Sequence, residues 1–172
     1  MKKLWILFTI LAMVGCTDDD GNKGGDNTPD YDFEYTANTL HCGYYGDSLT
    51  GDLGTSNYYL TFLDETAGWV YFADIYTEED SLEKIPNGTY AWDPNDTFAD
   101  KTMAMDKSGA IINEVMLIFT TATLIVTDNT IVLTATTEDG KTHKVTFSGD
   151  YEIIDARLPH HSASLGDKAC AN

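Results

Sequence analysis

From Tyr35 onward the chain is a succession of short apolar, β-branched runs cut apart by turn residues, with no strand–helix–strand alternation. That division gives no support to a Rossmann fold or a βα-barrel and predicts an all-β domain. The expected strands are 36–45, 57–63, 69–76, 88–92, 112–119, 121–127, 130–137, 141–148 and 150–154, about eight or nine in all. They fit a mostly β fold, either an antiparallel β-sandwich or a lipocalin-like barrel. Asp139-Gly140 between Thr-rich runs is a strong hairpin signal. Asp128-Asn129 divides two similar runs and tolerates the positive φ of a tight turn.

If both pairs are two-residue turns, the register follows by counting outward. Leu133 then faces Leu124, Ile131 faces Val126 and Ala135 faces Ala122, which makes one apolar face. The same count sets Val132 beside Ile125 and Phe147, and Thr134 beside Thr123 and Val145. The far end of that second face carries Thr121, Thr136 and His143, so it is expected to be partly wet. In 98–119 the apolar residues Ile111, Ile112, Val115, Met116, Ile118 and Phe119 fit a helical stripe nearly as well as a strand. We read this stretch as strand.

Ten basic against 28 acidic side chains leave a formal charge of -18, with 42% hydrophobic and 12% aromatic residues. This balance excludes a basic nucleic-acid reader, and the apolar content supports a packed core rather than general disorder. With 3 Cys, a disulfide-dense scaffold is excluded as well.

The N-terminus reads as an address. Lys2 and Lys3 precede the apolar run Leu4–Val14, which is short for a membrane span and ends at Gly15-Cys16. The ending resembles a bacterial lipobox, with Met13 where Leu is usual, and the resemblance implies lipidation of Cys16 after removal of residues 1–15. A lipid-bearing Cys16 would hold the chain at a membrane without a spanning helix. Residues 16–34 are polar, Gly-bearing and acidic, and read as a flexible tether. Asp18-Asp19-Asp20 just past Cys16 also resembles the export signal of Bacteroidota surface lipoproteins, which implies an outer-membrane or cell-surface location. Cleavage would remove two lysines and no acids, leaving 8 basic and 28 acidic side chains. Such a chain repels anionic polymers and suits neutral partners or cations.

Residues 35–158 form the expected β-rich domain, and 159–172 a C-terminal tail. Ile85-Pro86-Asn87-Gly88-Thr89-Tyr90 and Glu138-Asp139-Gly140-Lys141, leading to Val145-Thr146-Phe147-Ser148-Gly149-Asp150, resemble the small β-rich domains of uncharacterised Bacteroidota surface lipoproteins. The resemblance implies a β-sandwich or lipocalin-like barrel and brings no catalytic residues with it.

No Ser lies in a Gly-x-Ser-x-Gly elbow, and His41, His143, His160 and His161 lack metalloprotease spacing. An enzyme is therefore not expected, nor is a cofactor. Asp93, Asn95, Asp96 and Asp100 crowd hard oxygen ligands into one loop, but Phe98 and Ala104 stand where an EF-hand needs Gly and Glu. That loop is read as solvated, with no metal. Cys42 and Cys170 are left to form a disulfide or to remain unpaired. Asp47-Ser48-Leu49 and Asp80-Ser81-Leu82 resemble the short O-glycosylation motif of exported Bacteroidota proteins, which implies glycans on Ser48 and Ser81. Trp69, Tyr71, Tyr90 and Trp92 are the candidate ligand platform, because flat aromatic faces with polar edges suit sugar rings. The expected function is a binding module at the cell surface, with carbohydrate the first ligand class. The alternatives are a protein-interaction subunit of a surface complex or a barrel enclosing a small apolar ligand.

Overall fold

The computed structural model describes residues 29–157, apart from Glu65. Ten strands account for most of it: β1 (Phe33–Ala37), β2 (Thr39–Gly46), β3 (Ser56–Asp64), β4 (Trp69–Thr77), β5 (Gly88–Asp93), β6 (Thr102–Ile112), β7 (Val115–Thr127), β8 (Thr130–Thr137), β9 (Thr142–Ser148) and β10 (Ile153–Asp155). They form one sheet in the order β1-β9-β8-β7-β5-β6-β4-β3-β2-β10. It curls into a half-barrel. Most neighbours are antiparallel, as expected, but β1–β9, β2–β10 and β5–β6 are parallel.

The curl follows from two strand runs that each start at one end of the sheet and finish at the other. Asn38 alone separates β1 from β2, yet β1 pairs with β9 and β2 with β10. Tyr35 of β1 therefore meets Trp69 and Tyr71 of β4 across the interior, with ring centroids 4.9 and 5.7 Å apart. The stretch 36–45 is thus two strands rather than one, and β1 begins at Phe33, inside the segment read as tether. Two of the tether's acids belong to the domain. Asp32 accepts from the Thr142 backbone N–H at 2.8 Å, and Glu34 pairs with Lys144 at 3.2 Å.

The ambiguous stretch 98–119 is mostly strand, but it holds the whole of β6, which the expected strands omit, and the start of β7 rather than a single 112–119 strand. The turn between them is Asn113-Glu114, with φ of 50° and 68°. Positive φ at both central residues is what a type I′ hairpin requires, and a Glu in that conformation carries no sequence signal for it. β7 then runs unbroken to Thr127, with the expected break reduced to a bulge between Phe119 and Thr121. Past their shared hairpin, β6 and β7 diverge. β5 fills the gap, pairing with β7 over Gly88–Ala91 and with β6 over Ala91–Asp93. The Ile85–Tyr90 motif builds this wedge: Ile85 is buried, Asn87 exchanges hydrogen bonds with Asp128, and the Tyr90 hydroxyl donates to Pro86 O at 2.8 Å.

The β7–β8 register agrees with the count through Asp128-Asn129: Leu124 faces Leu133, Val126 faces Ile131 and Ala122 faces Ala135. The β8–β9 register differs by one residue. Thr137 N–H donates to Lys141 O and Gly140 N–H to Thr137 O, both at 2.9 Å, so the loop holds three residues and Gly140 takes φ 79°. A one-residue shift turns every side chain of a strand over. His143, Val145 and Phe147 therefore face the core, opposite Ala135, Leu133 and Ile131, while Lys144 and Thr146 face outward. Val132 lies beside Thr146, not Phe147.

His143 sits at the rim of this core. The Tyr71 hydroxyl is hydrogen-bonded to its Nδ1 at 2.7 Å, and Thr137 Oγ1 stands 3.4 Å from its Nε2. Burial pushes the imidazole below its ordinary value of 6.5, with Asp139 and Asp32 opposing the shift. A His held below its unfolded value contributes stability that is complete above pH 6.5 and is lost as pH falls through the folded value. Urea midpoints are accordingly expected to fall on acidification below pH 6.5, before most carboxylates titrate below about pH 5. The slope in that window should disappear in His143→Gln.

Candidate functional site

The four aromatics singled out from the sequence do not form a platform. Trp69, Tyr71 and Tyr90 are 4%, 0% and 0% exposed and belong to the core, and Trp92 is half-buried with its ring 6.3 Å from Phe119. The register places them on the concave face, where Tyr and Trp pack against other strands.

A different set gathers on the opposite face of β2, β3 and β4. Here Tyr45, Leu49, Asn57, Tyr59, Asp74 and Lys107 line a cavity of about 190 Å³. Irregularities in the sheet place Tyr45, Asp74 and Lys107. Register shifts between Tyr44 and Gly46, so Tyr45 is a bulge residue. Gly43, opposite Tyr59, leaves space for it: a Cβ there would come within 3.2 Å of the Tyr45 ring. Asp74 lies at a second bulge, where β6 swings out over 105–108 between its pairings of Ala104 with Asp74 and Gly109 with Phe72. Ser108 restores the missing backbone bond, accepting from Asp74 N–H at 3.0 Å while donating to Ala104 O at 2.6 Å. The same bulge carries Lys107 to the cavity.

The floor is polar and deep. Asn57 and Asp74 are 0% and 2% exposed, beneath a small outer-face cluster in which Tyr76 packs on Phe98 at 4.7 Å. Asn57 Nδ2 donates to Asp74 Oδ1 at 2.8 Å and to Ile75 O at 3.2 Å, and Tyr76 donates to Asp74 Oδ2 at 2.8 Å. Burial pushes the Asp74 carboxyl above the usual range, while the Asn57 and Tyr76 hydrogen bonds and the Lys107 charge pull the other way. Asn57 Oδ1 is buried and has no hydrogen-bond partner among the described residues. An unmatched acceptor at that depth costs about 1–3 kcal/mol. Above the floor, the Tyr59 and Phe72 rings lie 6.1 Å apart at 19° and continue the aromatic wall across β4.

The other residues picked out from the sequence lie apart from this cavity. Asp93 accepts from Thr97 and the Asn95 amide, Asp96 from the amides of Met105 and Asp106, and Asp100 from Thr77 and the Glu78 amide. Each carboxylate of that loop thus serves its own local bonds, and no group of metal-ligating side chains forms among the described residues. Ser48 Oγ is buried without a partner among the described residues, enclosed where a glycan would need access. Ser81 Oγ accepts from the amides of Glu83 and Lys84, at 3.2 and 3.4 Å. Cys42 is a buried thiol pushed up by burial to about 12, which leaves it little thiolate character. Cys16 and Cys170 lie outside the described residues, and so does any bridge between Cys42 and Cys170.

The cavity was not legible from motifs, because Asn57, Tyr59 and Asp74 are distinguished only by facing away from the core. The one available signal was the adjacency of Tyr44-Tyr45 and Tyr58-Tyr59, since neighbouring strand residues face opposite ways. Tyr44 and Tyr58 are core, and Tyr45 and Tyr59 are their outward counterparts. Compared with known protein families, curated protein sequences and solved structures, the chain finds no match in any of the three.

Proposed function

We propose that the mature chain is an exported binding module, held at the outer membrane or cell surface by lipid on Cys16, that takes a carbohydrate on the outer face of β2, β3 and β4. The observation that carries this reading is one concavity with aromatic walls, Tyr45 and Tyr59, above a buried acceptor floor, Asn57 and Asp74. Aromatic faces stack on the apolar side of a sugar ring while acceptors take its hydroxyls. The anchor rests on Lys2, Lys3, the apolar run and Gly15-Cys16, and the acidic residues that follow favour the surface. Between the two expected architectures we favour the barrel, because β1–β2 and β9–β10 each pass from one sheet end to the other. Its interior is taken up by the chain's own Tyr58, Phe62, Tyr71 and Tyr90, which favours an outer site over an enclosed apolar ligand.

A broad glycan panel probed with the mature chain tests the reading. Saturable binding is expected, weakened tenfold or more, about 1.4 kcal/mol, by Tyr59→Ala. The absence of binding by a folded sample would remove the carbohydrate assignment. Cys16→Ala is expected to move the protein from the membrane to the soluble fraction; persistent membrane attachment with lipid labelling would overturn the anchor.

A second reading rests on the tip of the β6–β7 hairpin, where Ile111, Val115, Met116 and Ile118 are all exposed. Such a patch suits a protein partner. It gains weight if glycans fail to bind and a partner lost on Met116→Lys co-purifies from intact cells.

A further inference from the structure

We propose that the outer-face cavity recognises the end of a glycan, taking a single neutral, hydroxyl-bearing ring, with Asn57 Oδ1 as the atom that reads one of its hydroxyls. This deepens the carbohydrate reading and rests on it. The orientation of the Asn57 amide is set by its neighbours. Its Nδ2 donates to Asp74 Oδ1 and to Ile75 O, a carboxylate and a carbonyl that accept from it. Turning the amide over would set oxygen against oxygen, so Oδ1 must point elsewhere, and there it meets no donor among the described residues. Asn57 lines the cavity, so a group that enters it and draws the enclosed amide toward itself supplies that donor.

The remaining floor chemistry narrows the ligand. Asp74 offers acceptor capacity beyond the Tyr76 hydroxyl it already holds. A floor built of acceptors repels carboxylate, sulfate and phosphate and calls for O–H or N–H. Lys107 lines the same cavity and draws on the Asp74 charge, so the two offset each other. An ammonium that entered would meet the like charge of Lys107 in the lining, which a neutral hydroxyl does not. Tyr45, Tyr59 and Leu49 supply the apolar surface that a ring face requires. Size sets the last limit: about 190 Å³ is less than the ~300–1,000 Å³ of sites that enclose larger ligands, so one ring fits. The rest of a chain lies outside, over Phe72, which extends the Tyr59 wall.

The test is an NMR titration of the full mature chain with the methyl glycosides of glucose, galactose and mannose, their monodeoxy analogues, choline and glucuronate. At least one neutral glycoside is expected to bind saturably, shifting the Asn57 side-chain amide. One of its monodeoxy analogues should bind roughly tenfold more weakly or worse, because it leaves the buried oxygen unmatched. Tyr59→Ala and Tyr45→Ala should each weaken the same glycoside by roughly tenfold, and Lys107→Gln should change it far less. Tighter binding of choline or glucuronate than of any glycoside would overturn the assignment. So would monodeoxy analogues that all bind equally well. Polymeric glycans binding where no monosaccharide does, or binding unaffected by either Tyr variant, would overturn end recognition in this cavity and leave the carbohydrate reading standing. No glycan or glycoside binding at all would remove both.

Discussion

Tyr71→Ala is expected to lower the free energy of unfolding by about 3–5 kcal/mol, a large share of the ~5–15 kcal/mol that holds a domain folded. The ring is fully buried, with Trp69 and Tyr35 both 5.7 Å away and Phe119 6.4 Å away, centroid to centroid. These neighbours come from β1, β4 and β7, so no single segment can close over the space left by truncation. The hydroxyl adds a polar loss, because His143 Nδ1 would lose its 2.7 Å partner in a buried site. Tyr71→Phe isolates that part and should cost about 1–3 kcal/mol. Urea unfolding, read as a midpoint shift at unchanged slope, measures both. If Tyr71→Ala instead left the midpoint in place and abolished ligand binding, the ring would be a binding face and the core described here would be wrong.

That outcome separates what alternation alone conveys from what depends on register. The pairing of β7 with β8 was readable because Asp128-Asn129 is local and both strands alternate cleanly, so one turn carried the whole ladder. Asp139-Gly140 was equally visible as a hairpin but not as a three-residue loop. The extra residue turned His143, Val145 and Phe147 inward and made a buried pair of Tyr71 and His143, two residues far apart in the chain. The three parallel pairings were out of reach for a related reason. β1–β9 and β2–β10 join chain ends through long separations, and no turn residue marks them.

The site was hidden by the same physics. An apolar or aromatic residue in a strand reads as core whichever face it occupies, so Trp69 and Tyr71 drew attention ahead of Tyr59. Asn57 and Asp74 look like surface residues in the sequence, yet both are buried, with Ser108 of the bulge at 105–108 bonded to the Asp74 amide. Only the fold converts two ordinary polar residues into a floor with an unmatched acceptor. The aromatics that line the cavity are Tyr45 and Tyr59 of β2 and β3, not those chosen on β4 and β5.

Gly109→Val is expected to destabilise the domain by about 2–3 kcal/mol, although strand propensity alone would favour the β-branched residue. Gly109 lies between Phe72 of β4 and Ile118 of β7, at the point where β6 returns from its bulge. A Cβ there would stand 2.9 Å from Leu117 O and 3.2 Å from Met116 Cε. The Met side chain can move aside. The carbonyl cannot, because it belongs to the β7 backbone, so β6 and β7 must separate. The strain falls beside Ser108, whose hydroxyl serves the Asp74 amide, and beside Lys107 of the cavity. Loss of stability in Gly109→Val should therefore come with shifted amide resonances at Asp74 and Asn57, while those of the distant β8–β9 turn stay in place. A neutral or stabilising effect would mean that β6 and β7 are not held this close, and that the bulge shaping the cavity is looser than the contacts at Gly109 require.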